Sequence, residues 1–335
     1  MTASSRVAAK SMLRMDVCVL RETKRARVQL FLPIADIPVN VFLILAMGAA
    51  VGFVSGMFGI GGGFLMTPLL IFIGVAPAVA VASVSGHMAA SSFSGALSYW
   101  RRRAIDPALA AVLICGGITG TALGVGLFTL LRSAGQLDLI ISFSYLILLT
   151  VVGGLMVWEA SRTMLRARAG TAPLTRRPRA HAWILGLPMK MRFKRSKMYL
   201  SVLPIVGAGL LIGFLGAIMG IGGGFLLVPI MIYVLKIPTG TVIGTSMVLT
   251  LFTMLFATVL HATTNHQVDA VLALVLMVGG VIGAQFGVQA GQRIRSEQLR
   301  LLLGLLILSV GVRFGMTLVI RPEDLYSIRD LGLSE

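Results

Sequence analysis

The chain has 335 residues, 57% hydrophobic and only 12% charged, roughly half the charged share of a soluble domain. Mean hydropathy is +0.93, and glycine is abundant at 39 residues. These numbers exclude a soluble enzyme, a disordered regulator and a disulfide scaffold, and point to an all-α polytopic membrane protein. The net charge of +17 does not argue for nucleic acid, because the cations stand in clusters between apolar stretches.

Residues 1–30 carry seven of the 29 cations and no apolar run long enough for a signal-peptide core. They read as a basic N-terminal segment, either a solvated tail or an interfacial helix. Ile37–Phe58 is 22 residues without a charge, followed by Gly59-Ile60-Gly61-Gly62-Gly63. Phe64–Val75 is apolar for only 12 residues, too short to cross about 30 Å as a helix. Pro77 leads into Ala78–Trp100, and Pro107–Leu131 and Leu139–Trp158 follow. Residues 161–200 form a basic linker, with eleven cations and no acid between Arg162 and Lys197.

The pattern then starts again. Ser201–Met219 meets Gly220-Ile221-Gly222-Gly223-Gly224, and Phe225–Leu235 is again short. Thr241–Leu260, Ala270–Val288 and Leu301–Ile320 complete the second half, before a tail at 321–335. The segment GIGGGFL occurs twice at an offset of 161, each copy followed by a proline, Pro68 and Pro229. Pro77 keeps register with Pro238 and Ser85 with Ser246. After a two-residue shift Asp106 matches Asp269, and Gly116, Gly117, Gly120 and Gly124 match Gly279, Gly280, Gly283 and Gly287. This indicates two homologous repeats, 31–160 and 201–320, the build of many secondary transporters.

The positive-inside rule places the N-terminal segment, Arg101–Arg103 and the linker together in the cytoplasm. That requires an even number of crossings in the first half; four per half, about eight in all, fit if a broken or re-entrant element follows each glycine cluster, and the repeats are then parallel. A full crossing by Phe64–Val75 would instead give five per half and inverted repeats. Arg293 and Arg295 fall outside the cell in the first arrangement.

Neither glycine cluster is a phosphate loop, since no Lys-Ser/Thr follows, and neither completes a dinucleotide fingerprint. Four glycines in five residues disfavour helix continuation by about 1 kcal/mol each. Such a break is tolerated at membrane depth only against protein or a wet cavity. Converging N–H groups there form an anion nest, and the following element aims its positive end at the same spot. The expected site for a small anion therefore uses Gly59, Gly61, Gly62, Gly63, Gly220, Gly222, Gly223 and Gly224, with Pro68 and Pro229 as helix-breaking residues. The alternative is that the glycines only let helices pack closely, the reading preferred for the spaced glycines at 116–124 and 279–287.

Ser85, Thr245 and Ser246 could donate hydroxyls to an oxyanion, or bond to the carbonyl one turn back. His87 could contact substrate or carry a proton. His261 and His266 read as surface residues flanking a loop. Arg313 is an intramembrane charge that either serves the site or snorkels. Asp106 and Asp269 read as helix N-caps. No apolar span holds an acid near its centre, which disfavours a carboxylate relay. Two cysteines, Cys18 and Cys115, give no metal or disulfide pattern, and no cofactor is expected.

The repeated G-x-G-G-G-x-x-x-x-P, here Gly59–Pro68 and Gly220–Pro229, resembles the sulfite exporter TauE/SafE family over about residues 30–320. So does the later G-G-x-x-G-x-x-x-G in each half. The resemblance implies an inner-membrane permease, not an enzyme, that exports a small sulfur-containing anion such as sulfite or an organosulfonate by alternating access. Its partners would be that anion and lipid, with a homo-oligomer compatible and no nucleic acid. A non-transporting membrane scaffold using the basic linker is the other class of function considered.

Overall fold

A computed structural model of the chain describes residues 29–35, 37–59, 61–168, 190–193, 198–231, 239–291 and 296–319. Most of the basic N-terminal segment, the middle of the linker, Ile60, Lys236, Pro238, Arg293, Arg295 and the C-terminal tail lie outside the described residues.

A β-hairpin, β1 (Gln29–Leu32) with β2 (Ile37–Asn40), leads into α1 (Val41–Phe58). The short α2 (Gly63–Ile73) follows, then α3 (Pro77–Arg101), α4 (Pro107–Ser133) and α5 (Leu137–Arg168). The same order recurs: β3 (Lys190–Phe193) and β4 (Met198–Ser201), α6 (Val202–Met219), the short α7 (Gly224–Pro229), α8 (Thr239–Leu260), α9 (Ala270–Gly291) and α10 (Ser296–Val319). A π turn, His261–Asn265, extends α8. The two hairpins are an addition to the all-α expectation. Among the described residues six helices are long and apolar enough to cross a membrane: α1, α4, α5, α6, α8 with its π turn, and α9. The chain is a multi-pass helical membrane protein.

Local chemistry sets the helix starts. Asn40 Oδ1 accepts from Phe42 N, and Ser201 Oγ accepts from Leu203 N, capping α1 and α6 at corresponding positions. Proline occupies the first position of α3 and α4, where its missing N–H costs nothing. Asp106 Oδ1 accepts from Leu109 N, and Asp269 Oδ1 from Val271 N and Leu272 N. Both aspartates are the expected caps. Asp269 Oδ2 also accepts from Ile34 N at 3.0 Å, tying the β1–β2 turn to the start of α9.

Helix packing exchanges partners between the halves: α1 lies on α9, and α6 on α4. Glycine makes both seams. The first carbon of any side chain at Gly48 would stand 2.8 Å from Leu276 O, and at Gly124 2.6 Å from Phe214 O. Gly116, Gly120, Gly283 and Gly287 would likewise collide with the facing backbone. Close backbone approach is the general mode of helix association where lipid removes the hydrophobic drive, and it is the role expected for these glycines. The outer surface carries large apolar side chains, including Leu130, Leu139, Phe143, Leu274 and Phe286, suited to lipid.

The seams also report direction. Gly48, Gly52 and Gly56 meet Leu276, Gly280 and Ala284 in rising order, so α1 and α9 run parallel. Gly116, Gly120 and Gly124 meet Val206, Leu210 and Phe214, so α4 and α6 do too. In contrast Gly86, Gly95 and Tyr99 of α3 face Thr258, Met247 and Gly244 of α8, which is antiparallel. Gly304, Gly311 and Gly315 of α10 face Val157, Leu149 and Leu146 of α5, antiparallel again. The helices that correspond across the 161-residue offset thus point in opposite directions, not the same direction. Consequently Val41 and Val202 start at opposite ends of the bundle. The expectation that the segment before α1 and the linker before α6 share one side is corrected: hydropathy has no direction, and the short α2 decides the parity.

Candidate functional site

Helix α1 stops at Gly59, whose φ of 70° and N–H to Ser55 O make a left-handed C-cap. Gly61 (φ 85°) and Gly62 (φ 69°) continue the left-handed run before α2 begins at Gly63. In the second half Gly220 (φ 63°) and Gly222 (φ 70°) repeat this, whereas Gly223 is right-handed at φ −58°. Side chains with a Cβ cost about 1–2 kcal/mol per residue in the left-handed region, so the breaks need glycine for conformation and not only for space. Pro68, expected to break a helix, lies inside α2, which continues through it. Pro229 is the last residue of α7.

The two breaks meet. A side chain at Gly63 would overlap Gly220 O and Met88 Sδ, and would stand 2.9 Å from Ile221 O. Gly61 faces Met88 Cε and Thr250 Cγ2 at 2.9 and 3.0 Å, and Gly222 faces the same two side chains. Met88 and Thr250 lie near the midpoints of the antiparallel α3 and α8, so the breaks converge at mid-depth between these helices. Helix α2 then runs from this centre back to the end where α3 starts.

Side chains hold the broken backbone. Ser246 Oγ donates to Gly59 O at 2.6 Å, with Ile243 O as a second acceptor at 2.8 Å. Thr250 Oγ1 accepts from Gly224 N at 3.1 Å. Thr67 Oγ1 reaches Gly220 O at 3.5 Å, and Tyr145 Oη donates to Met219 O. Four carbonyl and N–H groups freed by the breaks are therefore satisfied from α2, α5 and α8. Among the described residues none offers an acceptor to the N–H of Gly61, Gly62, Gly222 or Gly223.

Of the residues expected at the site, the glycines of both clusters and Ser246 are brought together. Ser85 instead bonds Val81 O, one turn back on its own helix, at 3.0 Å. Thr245 Oγ1 accepts from Asp106 N at 3.4 Å, and Ser83 Oγ accepts from Asp269 N at 2.9 Å. These two hydroxyls brace the starts of α4 and α9. His87 is buried, with Nδ1 2.7 Å from Leu276 O and its ring against Gly280. Nε2 of His87 has no partner, nor do Oγ of Ser55 or Ser92. Arg313 lies over the Phe72 ring at 5.2 Å, on α10.

His261, expected at the surface, is fully buried. Its Nε2 lies 3.1 Å from Ala217 O, and Phe128 packs edge-on against it at 4.6 Å. Thr129 Oγ1 donates to Asn265 Oδ1, and Arg132 donates to Asn265 O at 2.6 Å. His266 is exposed as expected. Sequence reasoning missed Met88, Thr250, Thr67 and Tyr145. Thr250 carried a signal: it is a hydroxyl one turn after Ser246 on the same helix, and so on the same face.

Residues 44–314 match the model of the TauE family, Sulfite exporter TauE/SafE. A probable membrane transporter protein of Bacillus subtilis, YjnA, is 28% identical over 270 residues, covering 81% of this chain and 98% of its own. A probable membrane transporter protein of Xylella fastidiosa is 28% identical over 283 residues, 82% of this chain and 94% of its own. Sulfite exporter TauE/SafE family protein 1 of Arabidopsis thaliana is 42% identical over 60 residues, 18% of this chain and 13% of its own. No solved structure matches. The chain belongs to the TauE/SafE sulfite exporter family of membrane transporters.

Proposed function

We propose that the chain is an inner-membrane secondary transporter that exports a small sulfur-containing anion, such as sulfite or an organosulfonate, by alternating access. Its two halves are inverted repeats of five passes, the second pass of each interrupted by its glycine cluster. The observation that carries this reading is the meeting of the two breaks at mid-depth on Met88 and Thr250.

The chemistry favours an anion. Free N–H groups of a left-handed glycine run converge as a nest, and α2 starts there with its positive end. Among the described residues the buried acids are Asp106 and Asp269, both helix caps, so no carboxylate competes. Such N–H groups suit an oxyanion with several acceptor oxygens. Movement of one half against the other would part the breaks and open the site to each side in turn. An inside-negative potential drives an anion outward by about 2.3 kcal/mol per charge per 100 mV.

The orientation follows from charge. Arg101–Arg103, the end of α5 with Arg162, and the β3–β4 hairpin before α6 lie at one end of the bundle, which we name the arginine end. The positive-inside rule assigns this end to the cytoplasm. The last residue of α9, Gly291, stands at this end too, against Met57 at the end of α1.

The test is labelled sulfite flux into proteoliposomes under a potassium-diffusion potential of either sign, competed by sulfate, thiosulfate and small sulfonates. Flux that follows the potential, with a sulfur anion the strongest competitor, supports the reading. Folded protein that moves none of these anions overturns it.

A further inference from the structure

At the arginine end, α3 and α9 separate to form a groove of about 370 Å³. Its polar lining is Ser94, Ser98, Arg101, Arg102, Gln285 and Gln289. On α3 the serines and Arg101 recur at intervals of four and three residues, one helical face. On α9 the glutamines repeat the interval of four. Among the described residues no carboxylate pairs with Arg101 or Arg102. Two cations and two amides thus converge with no anion among the described residues to balance them.

The other half of the chain supplies an internal control. With the offset of 163 that aligns the glycines of α4 and α9, Gln285 and Gln289 correspond to Ala122 and Gly126. On α8 the counterparts of Ser94 and Ser98 are Leu255 and Val259 at the offset of 161, and Ala257 and His261 at the offset of 163. The repeat therefore does not dictate the two glutamines, whose counterparts are small and apolar.

The groove also points inward. Ser94 Oγ donates to Val281 O at its floor, at 3.4 Å. Ser92 and His87, further in along α3, are buried with Oγ and Nε2 unpartnered. Met88, at the breaks, adjoins His87 in the chain.

We infer that the α3–α9 groove is an oxyanion-binding vestibule. Arg101 and Arg102 capture the oxyanion, the amides of Gln285 and Gln289 replace part of its water, and α3 leads it to the glycine breaks, while the Ser94 and Ser98 hydroxyls stay on Val281 O and Ser94 O. The inference rests on the proposed anion transport for its second step, not for its first. An anionic phospholipid headgroup presents the same chemistry, since Phe93 and Leu97 at the rim are lipid-accessible.

The test uses the full chain with three changes: R101Q/R102Q, Q285A/Q289G, which installs the residues of the other half, and R101K/R102K, which keeps the charge. Each is reconstituted in phosphatidylcholine with and without phosphatidylglycerol. Sulfite flux, equilibrium binding of labelled sulfite, and phosphatidylglycerol retained on the purified protein are read. Loss of charge-assisted hydrogen bonds should raise the KM for sulfite and weaken its binding by about tenfold. Vmax should stay within about twofold, with most of the affinity restored in R101K/R102K. Retained phosphatidylglycerol that falls in the first two variants, with flux and sulfite binding unchanged, assigns the site to a lipid headgroup. Wild-type protein that binds sulfite through these residues but carries no flux upholds the groove and overturns the transport reading. Unchanged sulfite binding, KM and lipid retention in the first two variants overturns the inference.

Discussion

Gly63→Ala separates two roles that most of the clustered glycines combine. Gly63 is the first residue of α2 and is not among the left-handed glycines, so alanine meets no conformational penalty there. Its methyl group would instead overlap Gly220 O and Met88 Sδ, and lie 2.9 Å from Ile221 O. Methionine can turn aside, but the carbonyls belong to the opposite break and cannot move without it. Overpacking of this kind costs about 1–3 kcal/mol, borne only by conformations in which the breaks touch. That penalty lowers their population roughly five- to a hundredfold relative to states in which they part. Initial sulfite flux in proteoliposomes should fall by a similar factor, with thermal unfolding of the solubilised protein only modestly altered. Gly154→Ala is the control, because nothing lies within 4 Å of its added carbon and alanine favours a helix by up to about 1 kcal/mol. Wild-type flux in Gly63→Ala would refute the claim that contact between the breaks belongs to the transport cycle.

Gly62→Val adds left-handed strain to contacts 2.9 Å from Val51 and 3.0 Å from Ser55; it should abolish flux while the protein still elutes as a folded species. Ser246→Ala removes the donor to Gly59 O, and should cost about 1–3 kcal/mol of stability, read as a lower unfolding temperature. Gly120→Ala presses on the Leu210 backbone whereas Gly126→Ala meets open space. The first should destabilise by about 1–3 kcal/mol and the second should be neutral in the same melt. Deleting residues 170–188, which spares the hairpin strand Lys190–Phe193, should leave sulfite flux within about twofold, since the closure cost of a flexible connector changes only slowly with its length; lost flux in folded protein would favour the scaffold reading.

Much of this arrangement is legible in the residues because the physics involved is local. A glycine run must end a helix, aspartate before an apolar run must cap one, and glycines spaced by four must face another backbone. Those inferences place Gly59–Gly63, Asp106, Asp269 and the Gly116–Gly124 seam without knowledge of the fold. The two hairpins escape notice because four-residue strands leave too short a period to read. Helix α3 is harder again: Ser83, Ser85, Ser91, Ser92 and Ser94 make it the least apolar of the first-half helices, yet it is the most enclosed. His261 looks superficial because it stands near a loop, but the π turn carries its ring inward onto Phe128.

What no local rule supplies is the exchange of partners. The first helix of each half packs on the fourth helix of the other, and this follows from opposite directions of the two halves. Once the directions are known, the rest is constrained. The breaks approach from opposite ends and must cross between α3 and α8, where Met88 and Thr250 stand. Arg101, Arg102 and Arg162 then fall on one side. The symmetry also explains which departures matter. Gly223 is right-handed where Gly62 is left-handed, and Tyr145 braces Met219 where its counterpart is Leu308. Two identical half-sites would bind an anion equally from either face. The membrane potential sets the net direction of such a transporter; differences between the faces set its affinity from each side, and they stand at the breaks and at the arginine end.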